Sequence, residues 1–346
     1  MTAPSTAPSP VERTPIGLSR VGALHLGGAV GLLACVLLGL AIGPVAIDPI
    51  AALSAPPDDP SRVILLGARA PRVLLGAVVG GALGLAGAAL QALLQNPLAC
   101  PHVLGISGGA ALLAIVAMIA VPAAQLGLVP AAAFVGAAGT AALVRSVARS
   151  GGRVTPHTLL LTGVVFNAFA AALITFLNTL VDFYRSHGIL GWVVGNLTVR
   201  GDAWTGAAGA TLVLGLLVLS ASARDLNALG LGEEGATSLG VDVAGSRRRV
   251  YAAVALLIAG AVPVSGMIGF VGLIVPHGVR LVLGSDQRLV LPASMWAGAG
   301  FLVIADTAAR TFLAPTELPV GVITALCGGP FFLFLLRRQA RQELES

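Results

Sequence analysis

Lysine is absent from the 346 residues, and charged residues of both signs make up only 10% of the chain. An ordinary soluble domain carries roughly 25% charged side chains, so too little polar surface is available here to face water on all sides. The missing lysine excludes a Walker-type phosphate loop. No Gly-x-Ser-x-Gly elbow and no His-Glu-x-x-His pair occurs, which removes the common hydrolase and zinc-protease chemistries. The three cysteines, Cys35, Cys100 and Cys327, lie far apart in or beside apolar segments and fit neither a disulfide framework nor a metal site. Acidic residues are almost missing from the apolar runs. Asp306 and Glu317 are the few candidates, so paired acids that would hold a coupling proton or sodium ion are lacking.

What remains is 56% hydrophobic, with 45 glycines and a mean hydropathy of +0.94. This composition predicts an integral membrane protein. All 20 basic residues are arginines that punctuate apolar runs instead of clustering on one face, so a nucleic-acid partner is not expected despite the basic balance. They read as topological charges.

A helix needs about 20 apolar residues to cross the hydrocarbon core. Residues 1–20, rich in Pro, Ser, Thr and Ala, read as a disordered tail, and Val21 to Ile47 as a first span too long for a signal peptide. Val73 to Val144 holds 72 residues without a formal charge, room for three helices, with breaks at Asn96-Pro97 to Pro101-His102 and from Val121-Pro122 to Gly127. Further windows run over Val154–Val181, Ala203–Ala223, Val250–Val279, Leu289–Ala309 and Leu318–Leu336. The Val250–Val279 window fits one long helix or a hairpin turning near Pro263, Ser265, Gly266 and Gly269. Counting arginines decides: a hairpin puts 14 of the 20 on the inside, whereas one helix splits them evenly.

The expectation is therefore an all-α integral membrane protein with ten transmembrane helices. Its membrane-spanning body covers residues 21–337, with a cytoplasmic tail at 338–346 and both termini cytoplasmic. Ten spans divide into two five-helix halves, and an odd number would place a duplicated half upside down, an inverted repeat. Glycines such as Gly76, Gly80, Gly84 and Gly87 sit at spacings that let helix backbones approach closely.

The longest polar interruption is the inside connector 224–249. Within it Glu233 to Leu239 predicts a short helical knob with small residues Gly235, Ala236 and Ser238 on its surface. Glu233 and Glu234 sit at its first turn, where acids suit the helix dipole. A solvated connector is one reading, and a docking element for a cytoplasmic partner is the sharper one.

Four motifs occur in order: Arg69-Ala-Pro-Arg72; Gly87-x-x-x-Gln91-x-x-x-Gln95-Asn-Pro-Leu-Ala-Cys-Pro-His-Val-Leu-Gly-Ile-Ser107-Gly-Gly-Ala110; Gly232-Glu-Glu-Gly-Ala-Thr-Ser-Leu-Gly-Val241; and Gly266-Met-Ile-Gly-Phe-Val-Gly-Leu-Ile-Val-Pro-His-Gly-Val-Arg280. Together they resemble the permease subunits of iron-siderophore, haem and cobalamin ABC importers. The resemblance runs from about the first span to the C-terminus.

It implies a permease in a bacterial cytoplasmic membrane, paired with a second permease subunit, either identical or a related paralogue. Two cytoplasmic ATPase subunits would bind ATP and Mg, no cofactor being held by this chain, and an extracytoplasmic substrate-binding protein would dock outside. It further implies that Glu233, Glu234, Gly235, Ala236, Leu239 and Gly240 couple to the ATPase. Arg69, Arg72 and Arg310 would meet acids of the binding protein, and Asn167 and Asn178 on the fifth span would line the path. Pro156 and His157 occupy the turn used as a constriction, although the family has small hydroxyl residues there. Trp192, in a short helix at the outer mouth, reads as an interfacial anchor. The cargo implied is a metal chelate, first a ferric siderophore, with haem and cobalamin as alternatives. A secondary transporter built from inverted repeats is the rival reading, and an intramembrane enzyme is disfavoured by the missing catalytic groups.

Overall fold

The computed structural model describes residues 18–120, 127–150, 153–197 and 201–345. Residues 1–17 of the expected tail, the Val121-Pro122 break and Arg200 lie outside the described residues. In chain order the helices are α1 (Leu18–Ala41), α2 (Pro49–Ser54), α3 (Pro60–Val63), α4 (Ala70–Leu93), α5 (Ile106–Ala120), α6 (Leu128–Val147), α7 (Pro156–Thr179) and α8 (Phe183–Val194). They continue with α9 (Asp202–Ala221), α10 (Ala223–Leu229), α11 (Glu233–Ser238), α12 (Val243–Ser265), α13 (Val271–Leu283), α14 (Gln287–Thr311) and α15 (Val320–Glu345). A π-helical stretch, Ile64–Arg69, joins α3 to α4 without a break, and a 3-10 turn, Pro101–Leu104, precedes α5. Among the described residues the strand content is a two-residue antiparallel pair, Arg149–Ser150 with Arg153–Val154.

The scarce acids are concentrated at helix starts. Asp48, Asp59, Asp182, Asp242 and Asp286 each cap a helix by accepting backbone N–H groups, and Thr155 does the same for α7. Pro49, Pro60 and Pro156 follow three of these caps, where a missing N–H costs nothing.

Among the described residues seven helices are long and apolar enough to cross a membrane: Val21–Ala41, Pro60–Leu93, Leu128–Val147, His157–Thr179, Asp202–Ala221, Val243–Ser265 and Gln287–Thr311. Three shorter apolar helices, Ile106–Ala120, Val271–Leu283 and Val320–Phe334, accompany them. The Val250–Val279 window does divide in two. The turn falls at residues 266–270, where Gly266 and Phe270 both take positive φ, and Pro263 stays inside α12.

The boundaries of the tails shift. Helix α1 begins at Leu18, inside the segment read as tail, and α15 continues to Glu345 through residues read as a C-terminal tail.

Helix α4 is the central column, packed along α14, α12, α13 and α9 and buried almost continuously from Val79 to Gln91. Its glycines make that burial possible. A Cβ on Gly80 would lie 2.3 Å from the Gly298 carbonyl oxygen of α14, and one on Gly87 would lie 2.0 Å from the Gly272 carbonyl oxygen of α13. Without lipid-excluding hydrophobic force between helices, such backbone contact supplies the dispersion energy of association. Trp192 does not sit at an interface. It is 3% exposed and part of the apolar core, because the end of α8 wedges against the α12–α13 turn, where the Trp192 carbonyl crowds Gly266.

Candidate functional site

At one end of the bundle α10 and α11 form a folded unit in place of a loop. Gly232 starts α11 with φ of 93° and Gly240 leaves its far side with φ of 79°, so both glycines permit turns that other residues resist. Ala236 is fully buried and holds the helix against the core, whereas Glu233, Glu234, Thr237, Ser238 and Leu239 are exposed. Gly235 is half-buried beside Leu231, and Leu239, 65% exposed, projects an apolar side chain from a polar surface. Glu233 Oε1 accepts from Arg247 Nη1 at 3.3 Å, and Asp225 accepts from Arg249 Nη2 at 2.9 Å and from the Ser246 hydroxyl. The unit is thus tied to the first turns of α12.

It is tied to two further helices by Gln95, which follows α4, and by Asn227 of α10. Gln95, at φ of 50°, donates its side-chain amide to the Leu229 carbonyl at the end of α10. One turn earlier, Gln91 donates to the Leu273 carbonyl at 3.3 Å and accepts from Arg280, joining α4 to α13. Asn227 of α10 donates to Asp286 Oδ1 at 2.8 Å and accepts from the Gln287 N–H at 2.8 Å, joining the unit to α14. Asn227 and Asp286 carried no sequence signal, because their relation spans 59 residues.

The Asp286 carboxyl is held down to about 2 from an ordinary 3.8, chiefly by the Arg288 side-chain hydrogen bond, with the Asn227 amide adding to it. Since the folded value is the lower one, this stabilisation is present above about pH 4 and fades as pH falls toward 2. Asp286→Asn is expected to flatten that acid limb in thermal unfolding, with a neutral-pH cost of about 1 kcal/mol or less for so solvent-screened a pair. Equal acid slopes for the two proteins would contradict this.

At the other end of α4, roughly 30 Å away by helical rise, lie the three arginines expected to face a binding protein. Two of them are turned inward. Arg69 is 3% exposed and donates to the Leu40 and Ala41 carbonyls at 2.8 and 3.0 Å and to the Val45 carbonyl. Arg310 is 3% exposed, donates to the Gly39 carbonyl at 3.2 Å and lies 3.1 Å from Asp306 Oδ2. Asp306, 2% exposed, also accepts from Arg72 Nε at 3.0 Å. Arg72 alone reaches the surface, where Nη1 donates to Glu317 at 2.6 Å. In this conformation Arg69 and Arg310 therefore hold α1, α4 and α14 together, and the geometry leaves Arg72 with Glu317 as the accessible pair. The sign that could have revealed this is the i,i+4 spacing of Asp306 and Arg310 inside an otherwise apolar run.

Helix α7 carries the expected path residues. Asn167 donates to the His102 carbonyl at 2.5 Å, beside Gly108 of α5, and Asn178 lies three turns on. Each leaves its Oδ1 buried without a hydrogen-bond partner among the described residues. The helix exposes large apolar side chains before and between them, Val164 and Val165 ahead of Asn167 and Phe169 and Phe176 between the two. Pro156 is the first residue of α7, and His157 beside it is exposed. The site residues thus fall into three groups: the α10–α11 unit, the inward-turned arginines, and α7. Among the described residues no group of His, Cys, Asp and Glu could hold a metal ion.

Comparison with known proteins gives this arrangement its context. A model of the FecCD transport family matches residues 31–338. The chain is 45% identical over 280 residues to the cobalamin import system permease protein of Halobacterium salinarum, covering 80% of this chain and 74% of that one. It is 40% identical over 333 residues to the hemin transport system permease protein of Yersinia pestis, covering 92% and 97% respectively. A solved structure described as an inward-facing conformation of a metal-chelate type ABC transporter superposes with a TM-score of 0.79 at 27% identity, covering 92% of this chain and 99% of that one. With nearly its whole length matched, and with the four ordered motifs lying at α4, the α10–α11 unit and the α12–α13 turn, the chain belongs to the FecCD transport family.

Proposed function

We propose that the chain is the membrane permease subunit of an ATP-driven importer that carries a metal chelate inward, a ferric siderophore being the first cargo to test. It works with a second permease subunit, two cytoplasmic ATPase subunits that bind ATP and Mg, and an extracytoplasmic substrate-binding protein. All ten apolar helices, the three short ones included, are its spans, and the α10–α11 end faces the cytoplasm with both termini. The observation that carries this reading is α11 itself. The six-residue helix α11 is held by buried Ala236 and by the Glu233–Arg247 pair, and its neighbour α10 is held by hydrogen bonds from Gln95 and to Asp286, yet α11 presents exposed Glu234 and Leu239.

Such a lever moves α12, α4 and α14 together when a partner displaces it. Nucleotide closure in the ATPases would then switch the path between outward and inward openings. At the opposite end Arg72, with Glu317 as an exchangeable partner, is the charge that an acidic lobe of the binding protein would meet. Exposed ion pairs contribute about 0–1 kcal/mol each, so their role is register rather than affinity. Asn167 and Asn178 supply the polar groups of an otherwise apolar path.

The relatives named for cobalamin, hemin and Fe(3+)-citrate import all handle metal chelates, which supports that cargo class over a secondary transporter. Cobalamin is the second reading, favoured by the 45% identical relative.

The triple variant Glu233→Arg, Glu234→Arg, Gly235→Arg, expressed in a deletion strain with its partners, tests the proposal. Uptake of radiolabelled ferric siderophore, haem or cobalamin is expected to fall at least about tenfold while ATP hydrolysis continues, a coupling loss of about 1.4 kcal/mol. The chelate taken up by the wild type identifies the cargo. Unchanged uptake in the variant would overturn the coupling role of α11.

A further inference from the structure

Beside α11 a cavity of 1040 Å³ opens where α6 ends and where α7 and α12 begin. Its walls carry Arg145 from the last turn of α6, Arg149 from the short strand after it, Arg247 and Arg248 from the start of α12, and Glu233 and Glu234 from α11. Leu93, Leu94 and Leu159 add an apolar lining. The charges do not cancel. Glu233 is paired with Arg247, and Asp242, also on the wall, caps α12 through the Gly245 N–H. Among the described residues Arg145, Arg149 and Arg248 make no hydrogen bond or ion pair, and the Arg247 Nε is buried without a partner. Three uncommitted guanidinium groups therefore face one uncommitted acid, Glu234.

Five other arginines, Arg62, Arg69, Arg72, Arg280 and Arg310, are engaged with backbone carbonyls, an amide oxygen or carboxylates, and Arg224, which has no such partner among the described residues, is exposed on α10 outside the cavity. Positive charges at the inner ends of spans follow from topology alone, but topology does not require them to converge on one cavity from two helices. Planar guanidinium groups converging from different directions are the chemistry that holds phosphate oxygens. The ends of α6, α7 and α12 lie where spans of their length leave the bilayer, the level of phospholipid headgroups.

We propose that this cavity is a phosphate-binding site, filled either by the headgroup of an anionic phospholipid or by a soluble phosphate compound. Occupancy would brace α11 against α6 and α7. The site stands apart from the transport reading, since its test measures binding and not uptake.

The full chain is reconstituted in nanodiscs for two arms. In the first, phosphatidylglycerol is diluted into phosphatidylcholine and the retained lipid is read by native mass spectrometry. In the second, inorganic phosphate is titrated into discs of phosphatidylcholine alone and followed by calorimetry. The double variant Arg145→Gln, Arg149→Gln is expected to weaken binding about 25-fold, a factor of roughly five for each arginine lost near the surface. Arg248→Gln alone is expected to weaken it about fivefold. Arg224→Gln, exposed on α10 outside the cavity, is expected to bind as the wild type does. Arginine-dependent binding in the lipid arm assigns a headgroup, and in the phosphate arm only, a soluble phosphate compound. If neither arm depends on the cavity arginines, or if Arg224→Gln lowers binding as much as the double variant, the proposal is overturned.

Discussion

Asp306→Asn is expected to destabilise the detergent-solubilised protein by about 3–5 kcal/mol, the cost of leaving buried charge without its counterion. The carboxylate is 2% exposed, accepts from Arg72 at 3.0 Å and lies 3.1 Å from Arg310. An amide of the same shape keeps the volume but removes the charge that two guanidinium groups share. Arg310 is the more exposed to this loss, because its other acceptors are the neutral Gly39 carbonyl and the Thr307 hydroxyl. Glu317→Gln removes the other partner of Arg72, but that carboxylate is 45% exposed, so a loss of about 0–1 kcal/mol is expected. Thermal unfolding of the two variants side by side decides the matter. Equal losses would mean that the Asp306 cluster is hydrated and is not a structural tie. Adding Arg310→Met to Asp306→Asn is expected to restore part of the stability, since the second charge no longer lacks a counterion.

Gly87→Val is expected to lower stability by about 1–3 kcal/mol or more through overpacking and to depress uptake as well. A Cβ there would stand 2.0 Å from the Gly272 carbonyl oxygen and 2.5 Å from the Gly272 Cα, both backbone atoms of α13. No rotamer relieves such a contact, so α4 and α13 must separate. Gln91 lies one turn further along α4, and its hydrogen bond to the Leu273 carbonyl and its acceptance from Arg280 would lengthen with that separation. Gly139→Val is the control: a Cβ on Gly139 meets nothing within 4 Å, and about 0.5 kcal/mol or less is expected for an uncrowded site. A Gly87 variant as stable as the Gly139 variant would show that the helix contact can relax.

Membrane class and the short helix at Glu233 were legible from the chain because charge-free length and an acidic first turn are properties of local sequence. The hairpin at 266–270 was legible because the arginines summed along the whole chain favour it over one long helix. The α4 glycines were legible as a packing stripe, although which helix each one meets was not. The setting of the three arginines expected at the docking face was not legible for a physical reason. Counting charges places Arg69, Arg72 and Arg310 at one end of the bundle, but whether an arginine points to water or to a carbonyl 28 or 29 residues away is settled by neighbouring helices. Trp192 failed in the same way: an amphipathic ring in a short helix suits an interface until a turn from α12 and α13 closes over it.

The sequence by itself determined that this protein lives in a membrane, roughly where its apolar helices run, and that a short helix interrupts the connector at 224–249, since these follow from hydropathy and backbone preference along the chain. Tertiary structure alone decided which charges are locked and which are uncommitted. Arg310 became a structural tie when Asp306 was buried beside it, while packing brought Arg145, Arg149 and Arg248 to a shared cavity where, among the described residues, their side chains have no ion-pair partner. Burial and pairing are properties of neighbours distant in sequence, and in a low-dielectric interior they set what each charge can do.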